Sequence, residues 1–228
     1  MTSFESLITD VQNYLHYQKE VYGDELYVDA SVEAIPVNPQ PIQPADLIQL
    51  DAVAKSCTKC SLHSRRQHVV FGKGNPNADV MIIGEGPGVD EDKQGEPFVG
   101  AAGQLLTKIL AAIELKRDEV YITNIVKCHP PNNRDPLPEE QAACRPFLEQ
   151  QIKLIRPKFI LALGRVAGQV LSERMQPLNS LRGKTYDFLS AKVIVTYHPA
   201  ALLRHPEWKR DTWEDVQMLQ RLYKESIN

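Results

Sequence analysis

The sequence lacks any long hydrophobic run, since none of its apolar stretches approaches the roughly 18 residues that a membrane-spanning helix needs. Its N-terminus also lacks the pattern of basic and then apolar residues that marks a secretory signal. These two absences exclude an integral membrane protein. They predict an intracellular protein that works in the cytoplasm.

The chain also lacks an excess of basic residues, because 26 Lys and Arg stand against 29 Asp and Glu, for a formal net charge of −3. Any binding to nucleic acid must therefore come from a local basic patch. Cysteine is scarce as well: the four residues are Cys57, Cys60, Cys128 and Cys144. Structural disulfides are rare in a reducing compartment, so a set of four suggests a metal site. For any single one of them, a free buried cysteine is the alternative.

The 228 residues suffice for one sizeable domain with appendages. Residues 1–30 are predicted to form a helical appendage, because apolar side chains recur near the N-terminus at helical spacing. Residues 31–45 contain four prolines and little periodicity, which predicts an extended linker. Residues 46–228 are predicted to form the folded domain.

Four short apolar runs predict β-strands in that domain. They are Val80–Ile83, Val120–Val126, Lys158–Leu163 and Lys192–Tyr197. Helical patterns lie between and around them, at Ala45–Ser56, Gln104–Leu115, Pro138–Ile155, Arg165–Ser172 and Asp211–Lys224. Strands that alternate with helices predict an α/β fold, with a mostly parallel four-stranded sheet and helices on both faces.

The first predicted strand breaks into the turn Gly84-Glu85-Gly86-Pro87-Gly88, whose glycines allow a ligand to approach the backbone. Glu85 thus follows the carboxyl end of a strand, where α/β sheets bind ligands. A dinucleotide site is one interpretation of this turn, but it requires a helix directly behind the glycines. An acidic run occupies that place, and the next helix is predicted only from about Ala101. We therefore favour a pocket that combines the Glu85 carboxylate with an aromatic wall at Phe98.

Two further polar residues stand at the ends of predicted strands. Asn124 lies near the end of the second strand, and His198 follows the fourth. Each has an ordinary alternative, since Asn124 could form a turn and His198 could be a satisfied, half-buried histidine. Convergence with Glu85 at one edge of the sheet favours a functional site.

Three segments extend this pattern: GEGPGVDEDKQGEPFVG, YITNIVKC and HPAALLR. Together with the order of the four cysteines, they resemble the family 4, iron–sulfur-containing uracil-DNA glycosylases. The resemblance covers roughly Cys57 to Tyr223. It implies a uracil-DNA glycosylase fold and a monofunctional enzyme that hydrolyses the N-glycosidic bond of deoxyuridine, leaves an abasic site and initiates base-excision repair. We expect a monomer whose partner is uracil-containing DNA, single- or double-stranded.

The resemblance also implies roles for the residues at the sheet edge. Glu85 would orient the attacking water or stabilise the sugar cation, and His198 would donate a hydrogen bond to O2 of the departing uracil. Asn124 would pair with the uracil edge, and Phe98 would stack on the base. Backbone amides around Gly86 would also contact the base.

The loop after His198 carries Leu202 and Leu203, which are either core residues or an apolar wedge that fills the stack when a base is flipped out. By resemblance this loop enters the duplex, and Arg204 then contacts phosphate together with Lys209 and Arg210.

The resemblance favours a [4Fe–4S] cluster on the four cysteines, although four thiolates by themselves suit zinc equally well. Cys57 and Cys60 form a C-x2-C pair, and the other two ligands come from later in the chain.

Two rival functions remain open at this stage. One is a broader deaminated-base glycosylase that also removes hypoxanthine or xanthine. The other is a non-catalytic iron–sulfur or zinc module that binds nucleic acid for another enzyme. Glu85 and His198 distinguish the second rival, because a binding-only module has no use for both side chains in its pocket.

Overall fold

The computed structural model describes residues 45–227. The predicted N-terminal helical appendage and nearly all of the proline-rich linker lie outside the described residues. Both therefore stay predictions.

The domain contains a six-stranded sheet, two strands more than predicted. The strands are β1 (Lys73–Gly74), β2 (Val80–Gly84), β3 (Tyr121–Asn124), β4 (Phe159–Leu163), β5 (Thr185–Phe188) and β6 (Ala191–Thr196). Their order is β1-β3-β2-β4-β6-β5, in which the four central strands are parallel and the two edge strands are antiparallel. The predicted mostly parallel α/β fold is confirmed. The predicted strand count was wrong because β1 has only two residues and β5 is largely exposed.

Eight α-helices flank the sheet in this part of the chain. They are α1 (Leu47–Lys55), α2 (Val89–Gln94), α3 (Ala101–Ala112), α4 (Pro138–Ile155), α5 (Gly164–Ser172), α6 (Leu178–Leu181), α7 (Pro199–Arg204) and α8 (Lys209–Ile227). Short 3-10 turns at Ser61–Ser64, Pro131–Asn133 and Pro206–Trp208 join some of them. Between residues 45 and 227, no helix combines the length and the apolar character needed to cross a membrane.

The core lies on both faces of the sheet, and alternate residues of β2 serve the two sides. Ile83 belongs to a cluster that includes Phe147 of α4. Ile82 belongs to a second cluster, with Leu106 of α3 and Val216 of α8. Because both faces are covered, the central strands are continuously hydrophobic, which is why their sequences were recognisable.

Candidate functional site

A cleft of about 520 Å³ opens at the carboxyl ends of β2, β3 and β6. Among the residues that line it are six of the predicted site residues: Glu85, Gly86, Phe98, Asn124, His198 and Arg204. The structure thus brings together side chains that are up to 119 positions apart in sequence, from Glu85 to Arg204. The sheet edge predicted from the strand order is where they meet.

Asn124 is the most deeply buried polar residue of this cleft, with 1% of its surface exposed. Its side-chain oxygen Oδ1 is buried and has no hydrogen-bond partner among residues 45–227. A buried acceptor left in this state costs about 1–3 kcal/mol. This cost is recovered when a ligand brings an N–H group into the cleft, so Asn124 is suited to read a donor on a bound molecule.

Gly84 allows Asn124 and Phe98 to approach each other at the end of β2. A Cβ atom at position 84 would lie 2.4 Å from Oδ1 of Asn124 and 2.6 Å from the ring of Phe98. Phe98 itself adopts a left-handed backbone conformation with φ of 54°. Its carbonyl oxygen occupies space that Gly103 leaves open, since a Cβ at that position would lie 1.7 Å away. The aromatic ring is therefore fixed by the first turn of α3.

His198 lies beside Phe98, with 5.5 Å between the ring centroids and a tilt of 30°. It precedes α7, and the backbone N–H of Ala200 donates to its Nδ1 atom at 3.2 Å. A neutral imidazole whose Nδ1 accepts must carry its proton on Nε2, which leaves Nε2–H as a donor. Burial and the nearby charge of Arg204 lower the pKa of His198 to about 4. The ring is thus a neutral donor at physiological pH.

Glu85 occupies the turn next to Asn124. The backbone N–H of Val126 donates to the carbonyl of Glu85 at 3.1 Å, which extends the pairing of β2 with β3 beyond the strand ends. Burial, and then the neighbouring carboxyl group of Asp135, raise the pKa of Glu85 to about 7, while the Arg165 guanidinium acts in the opposite direction. A carboxyl group of this pKa exchanges its proton near neutral pH, as a general base does.

The turn behind Glu85 differs from the prediction, because α2 begins directly after Gly88 rather than near Ala101. The acidic run forms this short helix. Its Glu91 carboxylate accepts from the backbone N–H of Gly88 at 3.1 Å, of Val99 at 2.9 Å and of Gly100 at 3.1 Å. These amides are occupied by a carboxylate from the chain itself, which argues against the dinucleotide interpretation for a reason that the sequence did not reveal.

The four cysteines line a second, smaller cavity. Nη1 of Arg66 donates to Sγ of Cys128 at 3.3 Å, and the backbone N–H of Lys127 donates to Sγ of Cys144 at 3.3 Å. Burial raises the pKa of Cys144 to about 12, which disfavours a free thiolate at this position. In the described part of the chain, no group of three or more His, Cys, Asp or Glu side chains is placed to hold a metal ion. The thiols surround one cavity without converging on a point.

Lys127 links this cavity to Asn124. The sequence did not predict a role for this lysine. Its ammonium group is buried and donates to the Asn124 carbonyl oxygen at 2.7 Å, to Oγ1 of Thr123 at 2.6 Å and to Oε1 of Gln151 at 2.6 Å. A lysine placed between a buried strand and a cysteine was the available signal.

The segment after His198 forms α7 rather than the predicted loop, and only one of its two leucines is accessible. Leu202 is 1% exposed and packs inside the protein, whereas Leu203 is 50% exposed beside the cleft. The following segment is braced by stacked rings, with centroids 4.8 Å apart for Tyr197 and Trp208 and 4.2 Å apart for His205 and Trp208. Leu203 is therefore the one of the two leucines that a bound molecule can contact.

The chain matches one family model and three known relatives described below. The family model described as the uracil DNA glycosylase superfamily matches residues 71–219, which include every cleft residue named above. The chain is 45% identical over 181 residues to the type-4 uracil-DNA glycosylase of Pyrobaculum aerophilum, covering 76% of this chain and 92% of that protein. It is 48% identical over 167 residues to the type-4 uracil-DNA glycosylase of Thermotoga maritima, covering 72% and 87%. Identity to the type-5 uracil-DNA glycosylase of P. aerophilum is 32% over 146 residues, or 57% and 64% of the two chains.

Proposed function

Because this chain belongs to the uracil DNA glycosylase superfamily and, within it, to the type-4 family, we propose that it releases uracil from DNA. The reaction hydrolyses the N-glycosidic bond of deoxyuridine, leaves an abasic site and initiates base-excision repair. The unpartnered, buried Oδ1 of Asn124 at the cleft is the observation that carries this proposal. The enzyme is monofunctional and acts as a monomer, and its DNA substrate places the reaction inside the cell.

Recognition begins with rotation of the nucleotide out of the helix, because the bond cannot be reached inside a duplex. In the cleft, Oδ1 of Asn124 accepts from N3–H of uracil, and Nδ2 donates to O4. Cytosine presents the reverse pattern, with an acceptor at N3 and a donor at N4. Phe98 offers a flat, rigid face on which the base stacks. Asn124 thus favours uracil over cytosine.

Cleavage moves the electron pair of the C1′–N1 bond onto uracil and leaves positive charge on the sugar. The Nε2–H group of His198 donates to O2 of uracil as negative charge develops there. Water adds to C1′ and releases a proton, which the uracil anion takes up through solvent, while Glu85 as a carboxylate orients this water or stabilises the sugar cation. Both proposed roles for Glu85 require its deprotonated form.

The wedge proposal is now confined to Leu203, with Arg204, Lys209 and Arg210 contacting phosphate. We predict that Leu203→Ala lowers the rate of uracil release from double-stranded DNA about tenfold, a cost of roughly 1.4 kcal/mol in stabilising the flipped base. The rate on single-stranded DNA should hardly change, because no stack is vacated there. The matched control is Met175→Ala, which truncates another exposed apolar side chain away from the cleft. Equal losses on both substrates would contradict the wedge.

We also propose that Cys57, Cys60, Cys128 and Cys144 hold a [4Fe–4S] cluster. The support is a single cavity lined by four thiols, with donors from Arg66 and the Lys127 amide directed at two of the sulfurs. Four thiolates suit zinc as well as an iron–sulfur cluster, and membership of the type-4 family favours the cluster. A bound cluster supplies covalent cross-links between distant segments, and hydrolysis requires no electron transfer from it.

Metal analysis tests this proposal. Protein purified without oxygen should contain about four iron and four sulfide ions per chain, and Cys144→Ser should lower both together with the melting temperature. Ser56→Ala is the control, since it removes a hydroxyl group near Cys57 that bonds only to the Val53 carbonyl. One zinc ion per native chain would refute the cluster.

An end-labelled oligonucleotide with one uracil tests the function itself, beside matched hypoxanthine, thymine and cytosine substrates. Alkali-dependent cleavage at uracil alone is expected, and cleavage without alkali would refute a monofunctional enzyme. Cleavage at hypoxanthine would favour the broader glycosylase. Binding of uracil-containing DNA without any cleavage would favour the non-catalytic module.

A further inference from the structure

A second carboxyl group, that of Asp135, lies in the cleft beside Glu85. Glu85 comes from the turn after β2, and Asp135 comes from the loop that leads into α4. Both carboxyl groups line this cleft, the Asp135 carboxyl group raises the pKa of Glu85, and the Arg165 guanidinium at the start of α5 forms an ion pair with Asp135. Three charged groups from three separate elements therefore meet at one wall of the site.

The loop that carries Asp135 is fixed by hydrogen bonds to a buried residue, Glu140, through Arg134. Glu140 is fully buried and accepts two hydrogen bonds from the Arg134 guanidinium, at 2.7 and 2.8 Å, and one from the Leu137 backbone N–H at 2.8 Å. Arg134 also donates to the backbone carbonyl of Asp135 at 2.9 Å. Arg134 keeps the pKa of Glu140 low, at about 2, so this anchor stays charged at any working pH.

From this arrangement we infer that Asp135 is a positioning residue, which holds the Glu85 carboxyl group in its working orientation while Arg165 holds Asp135. The inference rests on the proposed function for its catalytic meaning. Two adjacent carboxyl groups resist simultaneous ionisation, so they bind one proton between them more tightly than either does alone. The Arg165 guanidinium pairs with Asp135, while burial and the Asp135 carboxyl group raise the pKa of Glu85 to about 7.

The rate of uracil release should therefore fall at acid pH. Glu85 acts as a carboxylate, so its raised pKa means that the rate of uracil release increases with pH and levels off above about pH 7. His198, with its pKa near 4, stays neutral through this range. Other charged groups also line the cleft: Asp90, Glu91, Arg134 and Arg204. None of these groups is altered in the variants below.

Two substitutions should move the midpoint of this pH dependence in opposite directions. Asp135→Asn removes a like charge, so the midpoint should fall by roughly one pH unit. Arg165→Gln removes an opposite charge, so the midpoint should rise. Single-turnover rates on a uracil oligonucleotide, measured across the pH range, give both midpoints. Arg145→Gln is the matched control, because this arginine pairs with Glu149 and Glu173 on the outer surface and should leave the midpoint unchanged.

A structural role for Asp135 would instead lower the rate at every pH without moving the midpoint, and that result, or equal shifts in both variants, would overturn the inference. The carboxyl ¹³C resonance of Glu85, assigned by its loss in Glu85→Gln, gives the same midpoints in the free protein. This second measurement separates the two proposals. A native chain that releases no uracil refutes the proposed function, while the resonance still decides whether Asp135 and Arg165 act on Glu85.

Discussion

The double variant Glu85→Ala, His198→Ala should bind uracil-containing DNA about as tightly as the native chain and release uracil at least about 10⁴-fold more slowly. Loss of one preorganised donor to a developing anion costs about 10²–10³ in rate. Loss of a positioned base costs about 10²–10⁴. The two effects combine less than multiplicatively, since both residues act in one transition state. Single-turnover rates measure the loss, and fluorescence anisotropy with labelled DNA measures binding.

The control for His198 is His198→Asn, because the alanine change also removes the acceptor for the Ala200 backbone N–H. Asparagine can satisfy that N–H group with its side-chain oxygen. If His198→Asn folds as stably as the native chain and remains slow, the loss belongs to the Nε2–H donor and not to the start of α7. A double variant that binds DNA and still excises uracil at the native rate would refute the mechanism.

The central part of the fold was predictable because its signals are local. The runs that form β2, β4 and β6 are apolar on both faces, as strands covered by helices must be. Pro138 at the first position of α4, followed by two glutamates, marked the start of that helix correctly. The edge strands carry no such signal, since β5 buries one residue of four. Its position depends on pairing with β6, which sequence spacing does not reveal.

The site was predictable to the extent that strand ends converge. Asn124 ends β3, Glu85 and His198 follow β2 and β6, and parallel strands carry such residues to one edge of the sheet. Asp135 does not follow a strand directly, and it reaches the cleft only because Glu140 and Arg134 fix its loop. Contacts of this kind join residues through side chains and depend on the folded chain as a whole.

The environment of Lys127 near the cysteines and that of Leu203 also depend on the folded chain and could not be predicted from local sequence. Lys127 was assigned no role from the sequence, yet its ammonium group is buried and makes three hydrogen bonds. Leu202 and Leu203 are identical in type and adjacent in sequence. Only the rotation of α7 about its axis decides that the first is buried and the second is exposed. A sequence pattern gives the presence of a short helix more readily than its rotation.

Changing Asn124 to aspartate should alter which base the enzyme removes. The aspartate carboxylate can only accept, so it loses the hydrogen bond to O4 of uracil and places a negative charge against that oxygen. With the loss of one or two buried hydrogen bonds at about 1–3 kcal/mol each, uracil release should fall by roughly 10²–10⁴-fold. Cytosine presents an N4 amino donor to the same carboxylate, so release of cytosine should become measurable. Parallel oligonucleotides with uracil or cytosine at one position give both rates.

Asn124→Ala is the control that separates a change of specificity from simple damage. Alanine removes both hydrogen-bonding atoms, so it should lose uracil release without gaining activity on cytosine. The Lys127 ammonium group donates to the backbone carbonyl of residue 124, which both variants retain, so the link to the cysteine cavity is preserved in each. If the aspartate variant kept the native preference for uracil over cytosine, Asn124 would not be the residue that reads the base edge. The unpartnered oxygen at the end of β3 would then have to serve a ligand group other than N3–H of uracil.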